Sequence, residues 1–245
     1  MRRLLFLLLA LMLSGCSCSQ NRRVVRIGVD PTWSPLQFGE LQPYVNGYTE
    51  DFLLEVSRYS GLNFEKMAAN WDTLYSGLAE GRYEVVLTSL PLYSFNKAKY
   101  DFSENFLKLG PVLVVRASAS VDTLEQLKGQ LIGVLSNDPA AQLLQAQSDL
   151  IQRNYSNIPD LLNGLASGEV AGVLLDRLAA ASFVRDLYAG SLKIVSAPLT
   201  DTGLHAIALR GKESSVLRLL DKSLKNFKSK KKLEPLEKKW NLAPP

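Results

Sequence analysis

Apolar residues fall into two kinds of run along the chain. Short blocks at Val24–Val29, Tyr83–Leu87, Pro111–Val115, Leu131–Leu135, Val170–Leu175, Leu192–Val195 and Leu204–Leu209 predict strands, with a further one near Phe64. Between them the apolar residues recur at helical spacing. Phe52, Val56 and Tyr59 share one face of a helix that opens at Gly47–Asp51, with Thr49 as its cap, and ends at Gly61. Further helices are predicted from Trp71-Asp72-Thr73-Leu74 to Gly81, over Asp122–Lys128, from Pro139 to about Gln147, over Pro159–Ala166 and over Leu178–Leu187. Val216, Leu220, Leu224 and Phe227 mark a C-terminal amphipathic helix. Pro31, Pro35 and Pro43 predict a loop over residues 30–44, and Lys97–Asn105 reads as irregular.

Strands alternating with helices predict an α/β protein, with mostly parallel sheets flanked by helices on both faces. Val85, Val86 and Leu87 are apolar in series, as in a strand buried on both sides. Two such series, joined by extended segments near 107–115 and 199–208, predict two lobes and a two-strand hinge. The first lobe takes residues 24–108 and 205–245, and the second takes 109–204. Ligands of such sheets lie beyond the strand C-termini, here in the cleft between lobes.

The N-terminus changes the setting. Arg2 and Arg3 precede the apolar run Leu4–Leu13, which is too short for a membrane span and suits a signal sequence. It closes on Leu13-Ser14-Gly15-Cys16, which reads as a bacterial lipobox. The expectation is a signal peptide over 1–15, a diacylglycerol on Cys16, a tether over 16–23, and a protein anchored in the periplasm or at the cell surface. The plainer alternative is an ordinary secretory signal with a chance cysteine. Cys16 and Cys18 are the only cysteines, so acylation of Cys16 leaves no internal disulfide. The fold then rests on its core.

Charge adds less than the formal +4 implies, since the signal segment carries two of those charges. The lysines crowd the C-terminal stretch from Lys222 to Lys239, chiefly as the solvated face of an amphipathic helix, with a lipid surface as the other reading. A nucleic-acid partner is not expected of an exported lipoprotein. His205 is the single histidine and lies inside a strand pattern, where a structural role is the commoner one. No metal spacing, nucleophile elbow or phosphate loop occurs, so neither an enzyme, a metal nor a cofactor is expected.

Five stretches, taken in order, carry a family likeness. They are the lipobox; Arg26–Pro35; Trp71–Leu74 with Gly81–Val86; Tyr100-Asp101-Phe102-Ser103; and Gly168–Asp176. Leu236-Glu237-Lys238-Lys239-Trp240 adds a C-terminal signature. Together they resemble the polar-amino-acid class of bacterial extracellular solute-binding proteins, family 3, which feed ABC importers. The resemblance implies a two-lobed periplasmic-binding-protein fold of type II. It also implies a monomer that closes on a small polar solute and delivers it to an ABC permease. Related folds include dehydratases and murein-cleaving proteins. These need a placed acid, for which Asp30 or Asp138 are the options, but the sequence offers neither a partner to tune it.

Carried over by position, the resemblance implies ligand contacts at Asp30 and Trp33 after the first strand and at Trp71 opening the second helix. It implies others at Thr88 and Ser89, and at Asp176, an acid for an α-ammonium. Packing for the tryptophans and capping for Thr88, Ser89 and Asp176 are the structural alternatives. Two places depart from the family. Its Thr and, five residues on, its carboxylate-clamping Arg are replaced by Pro91 and Asn96. Its Gly-Thr-rich turn is replaced by Ser136-Asn137-Asp138-Pro139, which lacks one N–H and adds an acid. Asn96, Asn137 and Asp138 are nonetheless kept as expected cleft residues. Three readings stay open: an amino acid held with Lys97, Arg177 or Asn96 as a substitute clamp; a cationic or neutral solute without a carboxylate; or a non-transport sensor or scaffold.

Overall fold

The structure is a computed structural model and describes residues 23–147, 149–212 and 214–244. Cys16, Cys18 and the expected signal and tether lie outside the described residues, apart from Arg23.

The chain opens with β1 (Val24–Val29), α1 (Gln42–Ser60), β2 (Asn63–Ala68), α2 (Trp71–Ala79), β3 (Val85–Thr88), α3 (Ser94–Lys97), β4 (Tyr100–Phe102) and β5 (Leu107–Lys108). It continues with β6 (Pro111–Arg116), β7 (Leu131–Leu135), α4 (Pro139–Gln145), β8 (Ile151–Tyr155), α5 (Ile158–Ser167), β9 (Gly172–Asp176), α6 (Arg177–Asp186) and β10 (Leu192–Ile194). It closes with β11 (Gly203–Leu209), α7 (Ser214–Ser229) and α8 (Leu233–Lys239). These strands make two sheets. The first has the order β2-β1-β3-β11-β4, with β5 also on β11, and the second has the order β10-β6-β9-β7-β8. β1 is parallel to β2 and β3, and β7 is parallel to β8 and β9, while β11 and β6 run antiparallel to their neighbours. The molecule is therefore a two-lobed α/β protein.

Each lobe holds its own core. In the first, Phe52 of α1 stacks on Phe106 at 4.8 Å and meets Phe227 of α7 edge-on. In the second, Val112 and Val114 of β6 face one core cluster while Leu113 and Val115 face another. Alternate residues of one strand thus fill both sides of the sheet, which is why its sequence reads as an unbroken apolar run. Truncating any of these to alanine costs about 2–4 kcal/mol.

Two segments cross between the lobes. Leu107 and Lys108 pair with Leu204 and Gly203, Leu109 N donates to Thr202 O at 2.9 Å, and Leu199 N donates to Pro111 O at 2.8 Å. The backbones touch closely at two glycines. A Cβ on Gly110 would lie 2.5 Å from Thr200 Oγ1, and one on Gly203 would lie 2.5 Å from Leu107 O.

The structure corrects several sequence expectations. α1 begins at Gln42, not near Gly47. Pro43 sits in its first turn, where a missing N–H costs nothing, so the proline starts the helix rather than forbidding it. Thr49 is consequently mid-helix and buried, its hydroxyl donating to Val45 O at 2.8 Å. The stretch expected to be irregular contains β4, whose pairing with β11 supplies order that local sequence does not signal. β8 was not anticipated: it is an edge strand on β7 with mostly exposed side chains and little alternation. Within 122–128 only a three-ten turn, Leu124–Leu127, forms.

Candidate functional site

Most of the polar residues singled out above lie at or just beyond strand C-termini, in one lobe or the other. In the first lobe, β1 and β3 are parallel neighbours, so Asp30 and Thr88 project from adjacent strand ends. Asp30 is buried, and its Oδ1 accepts from Thr32 N at 2.9 Å and Thr32 Oγ1 at 2.7 Å. Thr88 Oγ1 lies 2.9 Å from Tyr75 Oη and accepts from Leu90 N at 3.2 Å. Ser89 is buried beside it, and its hydroxyl has no hydrogen-bond partner among the described residues.

Trp71 is the first residue of α2, a helix capped by Asn70, whose Oδ1 accepts from Thr73 N at 3.0 Å. The Trp71 indole is half-buried and meets the Tyr75 ring edge-on, with centroids 5.1 Å apart. Tyr75 is the site residue that sequence reasoning missed. Its signal was the four-residue spacing from Trp71, which puts both rings on one helix face. Burial pushes the Tyr75 phenol up to about 12, against the lowering effect of its bond to Thr88, and the charge on Asp30 adds to the rise. Tyr75 therefore stays protonated and serves as a neutral donor or acceptor.

In the second lobe, β7 and β9 are parallel neighbours whose C-terminal ends carry Asp138 and Asp176. Each caps the following helix. Asp138 Oδ1 accepts from Ala140 N at 2.8 Å, and Asp176 Oδ1 accepts from Leu178 N at 2.9 Å. Asp176 is open to solvent yet walled by protein on several sides. That partial desolvation raises its carboxyl above the ordinary range; the helix N–H groups oppose the rise and Asp138 adds to it. Asn137 is exposed and left-handed, with φ 63°.

Two expected contacts are held within the first lobe by bonds of their own. Trp33 is only 2% exposed; it packs in the first-lobe core, and its Nε1 donates to Asn46 Oδ1 at 2.7 Å. Its backbone, at φ 59°, turns the indole inward after Asp30. Asn96 is buried too, and its Nδ2 donates to Pro91 O at 2.7 Å. The side chain that stands where a clamp was expected ties its own loop shut instead. Arg177, a possible substitute clamp, is committed elsewhere: it pairs with Glu237 and donates to Lys108 O at 3.1 Å. His205 Nδ1 lies 3.0 Å from Asn105 Oδ1, and burial pushes the imidazole down to about 4, so the ring is neutral and part of the sheet.

The first lobe thus carries Asp30, Thr88 and the Trp71–Tyr75 pair at its strand and helix ends, and the second carries Asp138 and Asp176 at its own. The model of the bacterial extracellular solute-binding proteins, family 3, matches residues 25–243.

The chain belongs to that family.

Among curated solute-binding relatives, the L-cystine-binding protein TcyJ of Escherichia coli K12 is 23% identical over 224 residues, covering 90% of this chain and 84% of the relative. The arginine-binding extracellular protein ArtP of Bacillus subtilis is 22% identical, covering 93% and 89%. Among solved solute-binding structures, the unliganded open L-cystine solute receptor of Neisseria gonorrhoeae superposes with a TM-score of 0.68 at 20% identity, covering 90% of this chain and 93% of the other. Substrate-binding domain 2 of Lactococcus lactis GlnP, in its open conformation, gives 0.63 at 12% identity, covering 90% and 96%. Family 3 proteins are solute receptors, extracellular or periplasmic, that work with ABC permeases.

Proposed function

We propose that the protein is a lipid-anchored receptor of an ABC importer that captures a small polar solute bearing an amine, an amino acid in the first instance. The observation that carries this reading is Asp176. It is a solvent-open carboxylate at the end of β9, held by the N-terminus of α6, and in this reading it meets the Trp71–Tyr75 pair when the lobes close. A charge-assisted bond to an ammonium is what such a group supplies. Asp30, Thr88, Ser89, Asn137 and Asp138 complete the polar lining in this reading. Lobe closure on the solute does the work, with no chemistry at the site. Cys16 carries the lipid, after removal of residues 1–15.

The Asn96–Pro91 bond favours a second solute class, an amine without an α-carboxylate, because it removes the side chain that would have paired that anion. A thermal-shift screen separates the two. Amino acids are tested beside their decarboxylated amines, lysine beside cadaverine and histidine beside histamine. A true ligand at a hundred times its Kd adds about 2.7 kcal/mol of stability. A response confined to amino acids supports the first class, and a response to the amines supports the second. Silence toward every amine overturns the proposal.

A further inference from the structure

The charge on this protein is segregated. Residues 215–244 contain nine Lys or Arg and three Asp or Glu, a net +6 against +4 for the whole chain, so everything else is net −2. The excess peaks at Lys230-Lys231-Lys232, the turn between α7 and α8. Lys231 is left-handed there, with φ 52°, and all three lysines are exposed. Among the described residues Lys230 and Lys231 form no salt bridge, and Lys232 reaches only Glu55, at 3.6 Å. Beneath them lies a cavity of about 470 Å³ with an apolar floor that includes Phe227, Pro235 and Leu236. Lysine stems over an apolar floor with their ammonium groups outward form an amphipathic edge.

The place where the chain enters the first lobe fixes what this edge meets. Arg23 O accepts from Asn63 N at 3.0 Å, just past Gly61, which ends α1. Glu55, the partner of Lys232, precedes Gly61 by six residues, about 9 Å along the helix. Only residues 17–22 separate Cys16 from Arg23, and the seven Cα–Cα steps between them reach about 25 Å at full extension. An acyl chain on Cys16 therefore keeps the entry of the chain into the first lobe within about 25 Å of the bilayer.

We propose that the Lys230-Lys231-Lys232 turn docks on the anionic phospholipid headgroups of the membrane that holds the anchor. The inference rests on the anchor reading of Cys16. The tether brings the surface close, and the exposed lysines and the apolar floor complement an acidic interface better than they complement water. Docking fixes the orientation of the first lobe and leaves the cleft lips free.

The test begins with mass spectrometry of the purified full chain, which reads the lipid on Cys16 directly. Acylated protein is placed in nanodiscs of phosphatidylcholine alone or with phosphatidylglycerol, and amine-reactive labelling of each lysine is followed. The expected result is slow labelling of Lys230, Lys231 and Lys232 on the anionic discs only, restored by high salt, with Lys97 and Lys193 unchanged. If the mass shows no lipid, the anchor reading fails, and the same protein is floated with vesicles of the two compositions. K230Q, K231Q and K232Q should each lower partition onto the anionic vesicles by about five-fold. Equal labelling on both discs, or partition indifferent to these substitutions, overturns the docking proposal whatever the state of Cys16. Protection that appears only when the permease is added overturns it as well and assigns the turn to a protein partner.

Discussion

Arg177, the first residue of α6 in the second lobe, pairs with Glu237 of α8 on the first lobe, and both side chains are largely buried. The same guanidinium donates to Lys108 O on the crossing strand β5. Asp176, its neighbour in sequence, is exposed to solvent. One end of one helix thus holds both the acid proposed for the solute and an interlobe ion pair. Removing one partner of a buried pair leaves the other uncompensated, so Arg177→Ala should cost about 3–5 kcal/mol, read by denaturant unfolding. Small-angle scattering of the ligand-free protein should report a broader spread of lobe separations. A loss of stability with unchanged scattering would limit the pair to a packing role.

Asp176 carries a second expectation through its raised carboxyl. A carboxyl whose folded pKa is raised binds its proton more tightly in the fold than in the unfolded chain. Its ionisation therefore costs stability, and that cost appears as pH rises through the raised value. Asp176→Asn keeps an oxygen for the Leu178 N–H cap while removing the charge. The variant should melt at or above the wild-type temperature at neutral pH and lose its response to amines. Wild-type affinity for an amine should also fail at a higher pH than an ordinary aspartate would dictate. Retained affinity in the variant would reject the role assigned to Asp176.

His205 gives an opposite pH signature for the whole fold. Burial holds its imidazole near 4, so the unfolded chain takes up a proton between about 6.5 and 4 that the folded chain refuses. Stability should fall as pH drops through that window, by roughly 2 kcal/mol between pH 7 and 4.5. His205→Gln should flatten this part of the stability–pH curve. Parallel curves for the two proteins would place the acid sensitivity elsewhere.

Asn96 and Trp33 make negative controls with opposite costs. Asn96→Ala removes the bond to Pro91 O and should cost about 1 kcal/mol while leaving solute affinity within two-fold. Trp33→Ala empties a core position and should cost about 3–5 kcal/mol. A large loss of affinity in a folded Asn96→Ala protein would return that residue to the cleft.

The regular lobes were legible because their strands are buried on both faces. Val85–Leu87, Leu131–Leu135 and Leu204–Leu209 announce themselves as apolar runs, and Gly61 and Gly168 stop helices through the left-handed conformation that glycine adopts without cost. β8 was silent because an edge strand needs no apolar alternation, and the start of α1 was misread because proline breaks a helix interior and suits its first turn. The ligand roles expected of residues at strand ends came from the family resemblance; only the positions of those strand ends were legible from periodicity. The direction of the Trp33 and Asn96 side chains was not, since it depends on a left-handed backbone at Trp33 and on a five-residue contact closing the Asn96 loop. Tyr75 was hidden for another reason: its importance comes from Thr88 on a different element.

Gly110 and Gly203 set the mechanical character of the molecule. Where the two connecting segments pass, Gly110 lies against Thr200 and Gly203 against Leu107 O and the Asn105 side chain, so a side chain at either glycine would force the segments apart. Such a joint resists sliding, because hydrogen bonds span it, but yields to twisting about a few φ and ψ angles. Reorienting the lobes is then a matter of backbone rotation, and a bound solute chooses an orientation only by as much as its affinity differs between the two.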